Sequence, residues 1–160
     1  MHTTKQKITE AIWQLKFNPT KSRNLQQIEA VVAGPDDANR LFIIDGQFDV
    51  RLEAQSQGNN FEIGKETFTV LLGPVFTRKQ FFQANATASV TKTAFSIIGG
   101  VGQDNFSWQI LGVDADWDDE SGQVELRIEA EVTCRAASSS SSNVLGFAFH
   151  VTILAAVAAA

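Results

Sequence analysis

Residues 124–135 alternate without a break. Val124, Leu126, Ile128, Ala130 and Val132 fall on one side, and Glu125, Arg127, Glu129 and Glu131 fall on the other. A period of two fits a β-strand with one buried and one solvated face. Such a strand leaves backbone N–H and C=O groups open along both edges. The chain must therefore supply more strands to pair with it, and a second layer to cover its apolar side.

The remaining sequence meets that demand. Apolar or alternating runs at 27–33, 41–44, 47–54, 61–63, 66–72, 81–90, 93–98, 106–117 and 145–155 are separated by turn signals. Asp45-Gly46 between two such runs predicts a tight hairpin. In its second arm Phe48, Val50, Leu52 and Ala54 face one way, and Asp49, Arg51, Glu53 and Gln55 the other. Residues 81–90, polar on one side and alanine-rich, read as an edge strand. The fold expected is all-β: one antiparallel β-sandwich or jelly roll of about eight or nine short strands. Its length of 160 residues suits one domain. Ile8, Ala11, Ile12 and Leu15 follow helical spacing, so residues 1–22 are expected to carry a short N-terminal helix, about 5–16, or an arm. The serine run within 138–143 reads as a loop.

Residues 144–160 are apolar apart from His150 and Thr152, and they reach only the short edge of a membrane span. Phe147, Phe149, Val151 and Ile153 alternate with smaller residues, so a buried C-terminal strand is expected and a span is not. The N-terminus has a basic start and no apolar run behind it, unlike a signal peptide, which makes the cytoplasm the default compartment.

Composition narrows the function classes. The net charge is −5, where a nucleic-acid binder would carry a basic excess. Only 19% of residues are charged, so apolar surface is left to hide, and self-association is one way to hide it. Twelve Phe and no Tyr suggest aromatic rings used for packing more than for recognition. A single cysteine excludes an internal disulfide framework.

Few groupings carry chemistry. Asp114, Asp116 and Asp118 with Glu120 form the densest acidic stretch, on what reads as a hairpin tip. Their spacing imitates part of a calcium loop, although Asp119 stands where such a loop needs glycine. On a strand the three aspartates share a face at about 7 Å steps. They are the candidate Ca2+ ligands, against a simpler role as a solvated tip. Cys134 and His150 are the only candidates for a nucleophile–base pair, and both read more naturally as structural. Gly99-Gly100-Val101-Gly102 lacks phosphate-loop spacing and a following helix, so it reads as a hairpin loop. Basic residues gather toward the N-terminus and acidic ones at 114–131, an asymmetry that would suit head-to-tail stacking of copies.

Phe68-Thr69-Val70 before Pro74, the run Val90-Thr91-Lys92-Thr93-Ala94-Phe95-Ser96-Ile97, and Ile110-Leu111-Gly112-Val113-Asp114-Ala115-Asp116-Trp117 make residues 67–117 loosely similar to the H-type lectin domain. The resemblance covers about a third of the chain. It implies an antiparallel sandwich that binds sugars as an oligomer. Two long strands follow Trp117 where that domain would end, and no binding residue of the family is carried over. The function expected is a non-enzymatic structural or binding module that self-associates into a homo-oligomer or larger assembly, with the two chain ends as intersubunit contacts. The alternative is a lectin-like carbohydrate binder, with a divalent cation at the acidic hairpin.

Overall fold

Among the described residues the chain forms seven strands, longer and fewer than the turn signals imply. The computed structural model describes residues 22–32, 38–58, 60–98, 105–135 and 139–157. The N-terminal helix expected at 5–16 and the glycine loop at 99–102 lie outside them. The strands are β1 (Ser22–Val32), β2 (Asn39–Ser56), β3 (Phe61–Leu72), β4 (Phe81–Ile98), β5 (Asn105–Trp117), β6 (Val124–Arg135) and β7 (Ser139–Ala156). They form two antiparallel sheets, β1-β2-β7-β4 and β3-β6-β5. Among the described residues there is no helix, and so none long and apolar enough to cross a membrane.

The alternation of 124–135 holds: Val124, Leu126, Ile128, Ala130, Val132 and Cys134 are fully buried. They face Phe42, Ile44, Phe48, Val144, Phe147, Val151 and Ile153 of the other sheet in one core. Phe147 joins the layers, its ring 5.6 Å from that of Phe48 beside it and 5.5 Å from that of Phe68 on β3. Strand β4 is an edge, as expected of 81–90.

Glycine and serine misled the count of strands. No hairpin forms at Asp45-Gly46; β2 runs straight through it. Gly46 is there because a Cβ would lie 2.5 Å from Cζ of Phe149. The break expected after residue 63 is absent for a similar reason. At Gly64 a Cβ would lie 2.2 Å from the backbone oxygen of Glu53, so β3 can cross β2 only without a side chain there. Both are close-approach glycines inside strands. Strand β4 likewise continues through Thr91-Lys92, where its ladder with β7 slips without turning back. The serine segment expected as a loop over 138–143 is, from Ser139 onward, the start of β7, paired with β2 on one side and β4 on the other. Its alternate members Ser140 and Ser142 are buried. Ser140 Oγ lies 3.2 Å from Cys134 Sγ, a contact a short hydroxyl can make inside a core.

The apolar C-terminal strand is buried as expected, but at the centre of its sheet. With both edges of β7 paired, it has no free backbone groups to offer a neighbouring subunit.

Candidate functional site

The acidic hairpin is built by its own backbone. The turn between β5 and β6 closes when Asp118 N–H donates to the carbonyl of Gln123 and Gly122 N–H donates to that of Asp118, each at 2.8 Å. Gly122 takes φ +72°, which favours glycine. The Asp118 carboxylate accepts from Ser121 N–H at 3.0 Å and from its hydroxyl. Asp116 accepts from the N–H of Trp117 at 2.7 Å. Both carboxylates thus have turn and strand groups to hold.

Asp114 and Asp116 lie on the solvent face of β5, opposite Arg127 and Glu125 of β6. With Trp117, Asp118 and Asp119 they line an open cleft of about 190 Å³. Glu120 is not part of that lining. Among the described residues no three His, Cys, Asp or Glu side chains are grouped to hold a metal ion. Of the four candidate ligands only Asp114 and Asp116 are alternate positions of β5; Asp118 and Glu120 lie in the turn beyond its end at Trp117. Ligands of one Ca2+ sit about 2.3–2.6 Å from it, whereas alternate strand positions are about 7 Å apart. The Arg127 guanidinium, 2.7 Å from the Glu125 carboxylate, also brings a cation of its own to the cleft.

The same solvent face continues along β6. Lys65 Nζ lies 2.7 Å from a Glu129 carboxylate oxygen, and Gln109 donates to Glu131 at 3.0 Å. The hydrogen bond that Lys65 donates to Glu129, then the charge of that carboxylate, raises the Lys65 pKa above the ordinary lysine value; desolvation opposes this and Glu131 adds to it.

Cys134 and His150 do not meet. Cys134 is fully buried beneath the β3-β6-β5 sheet. His150 stands on the outer face of the other sheet, half exposed, with Nδ1 2.7 Å from Asp45 Oδ1. The core lies between them, so they form no nucleophile–base pair.

Large apolar side chains are exposed along the sheet edges: Ile28 and Val31 on β1, Phe61 and Ile63 on β3, Phe95 and Ile97 on β4, Trp108 and Leu111 on β5. Phe95 stacks on Phe106, ring centroids 5.2 Å apart, where β4 and β5 run side by side at the seam of the two sheets. Strand β1 differs from the other edges. Every described side chain from Asn24 to Val31 is exposed except Leu25, which is half-buried. The facing sheet has three strands against four, and among the described residues β1 lies against β2 with no strand of the other sheet packed on it. Pattern reading missed this overhang. The available signal was the mixture of apolar and polar residues at both parities of 24–32, where a strand with one buried face would separate them.

No protein-family model matches the chain, and no curated protein or solved structure matches it either.

Proposed function

We propose that the chain is a non-enzymatic structural or binding module that associates with copies of itself. One observation carries this reading: each edge strand of both sheets presents large apolar side chains to solvent. Sheet edges and apolar patches left open in this way are where β proteins associate. We read the two antiparallel sheets as a β-sandwich wound as a jelly roll, and the connections support this reading. The chain passes from one sheet to the other at β2–β3, β3–β4, β4–β5 and β6–β7, and only β1–β2 and β5–β6 stay within a sheet.

The test is the solution mass by light scattering on a sizing column. A multiple of the 17.4 kDa chain mass is expected. A single-chain mass across the accessible concentration range would overturn the proposal.

The carbohydrate-binding alternative rests on the cleft at the β5–β6 hairpin, where Asp114, Asp116 and Glu125 offer acceptors to sugar hydroxyls beside Trp117. A melting midpoint unchanged by calcium, by chelator and by simple sugars would remove it.

A further inference from the structure

Resting on the reading that the chain self-associates, we infer that the contact is β1 against β1 of a second copy, paired antiparallel about a two-fold axis through Ile28. Two four-stranded sheets would then become one sheet of eight.

The four edge strands differ in what guards them. Edges are commonly protected by charge, proline, bulges or a covering element. Strand β3 carries Glu62, Lys65 and Glu66. Strand β4 has three slips in its ladder and lies against β5. Strand β5 slips between Ile110 and Gly112 and carries Asp114 and Asp116. Strand β1 has no lysine and no proline, and from Asn24 to Val32 its one charge is Glu29. That carboxylate is paired with Arg40 Nε of its own chain at 3.3 Å. The ladder of β1 is regular from Gln26 to Val32, so this stretch is an unguarded template.

The sequence of that template complements itself. A two-fold axis perpendicular to the sheet keeps each face on its own side, so residues of equal parity pair. Centred on Ile28, it sets Ile28 against Ile28 of the second copy, and the regular stretches of the two copies pair over 26–30. Gln26 meets Ala30, and Gln27 meets Glu29, whose carboxylate the Gln27 amide can reach as a donor. The central pair is apolar on both sides, and no two like charges oppose. Moving the centre to Gln27 would set Glu29 against Leu25 and Ile28 against Gln26, a poorer match. On the outer face Ile28 and Ala30 stand beside Ile43 and Leu41 of β2, with Leu154 of β7 next in the row. That apolar row would continue into the second copy. Asn24, at φ 56°, and the slip between Arg23 and Gln26 end the regular pairing. Among the described residues the outer edge of β1 is unpaired, and each copy offers one such edge, so the contact closes as a dimer. Its short ladder places it at the low end of the roughly 1,200–2,000 Å² that specific complexes bury, and dissociation on dilution is expected.

Two variants of the full chain test this beside the wild type. Ile28→Lys sets two ammonium groups face to face at the axis and should halve the solution mass. Its melting temperature at high dilution should be unchanged, since Ile28 is 59% exposed in the monomer. Ile28→Cys should form a disulfide-linked dimer on mild oxidation, while Val75→Cys, equally open on the surface, should not. Cys134 is buried and does not compete. A wild type that is oligomeric, with Ile28→Lys of unchanged mass and Ile28→Cys uncrosslinked, overturns the β1 contact and leaves self-association standing. A monomeric wild type overturns both.

Discussion

Strands β1 and β7 flank the same strand, β2, and have little else in common. Strand β7 is paired on both edges and buries Phe147, Phe149, Val151, Ile153 and Ala155 in the core. Strand β1 is paired on one edge and buries almost nothing. The hydrogen-bonded ladder to β2 runs nearly the length of each. The contrast separates two contributions that are often merged. A ladder positions a strand, but exchanges hydrogen bonds with water for bonds within the protein and yields little net stability. Apolar burial stabilises; β7 has it along its length, and among the described side chains of β1 the core contact is that of Leu25. A strand held mainly by its ladder remains available to another chain.

The contrast breaks most visibly through β7. Phe147→Ala removes a fully buried ring that touches Phe48 and Phe68, and should cost about 3–5 kcal/mol in urea denaturation. A loss as small as that of a surface change would mean that β7 does not hold the layers together.

A sharper probe lies on β2, between the two strands. An added Cβ at Gly46 would sit 2.5 Å from Phe149 Cζ on β7 and 3.1 Å from Leu25 Cδ1 on β1. Gly46→Ala should cost about 1–3 kcal/mol, the usual penalty of overpacking. Because the Phe149 ring is buried and Leu25 is not, the strain should fall on β7. Chemical-shift changes should accordingly be larger along 147–151 than along 25–29.

On β1 itself, Ile28→Ala should change the stability of the dilute monomer by less than about 0.5 kcal/mol, as surface substitutions do. A larger loss by the same urea measurement would show that β1 packs against its own chain.

The smallest effect lies on the solvent face of the other sheet. Lys65 has a raised pKa, so its pairing stabilises fully below the ordinary lysine pKa and is lost as pH rises through the higher folded one. Glu129→Gln should return the Lys65 titration, followed by NMR, toward the ordinary value.

Much of the fold was legible because period-two patterning reports burial directly. Strand β6 and the buried half of β7 were read almost residue for residue. What failed was punctuation. Gly46 and Gly64 look like turn residues because glycine serves both turns and close approaches, and only the neighbouring strand distinguishes them. The serines at 139–142 look like a linker, yet on β7 every second hydroxyl enters the core. The acidic hairpin was placed correctly, at a β-turn between two strands. Among the described residues its candidate calcium set is not grouped around one point: Asp114 and Asp116 stand on β5, and Asp118 and Glu120 in the turn beyond it. The overhang of β1 was invisible, since it depends on the other sheet having one strand fewer.

Amide hydrogen exchange in β1 and β7, followed as the protein is diluted, tests the β1 contact most directly. Pairing between copies predicts that β1 amides from Gln26 to Val32 lose protection on dilution while those of β7 from Phe147 to Ile153 do not change. Exchange in β1 that is independent of concentration would contradict it.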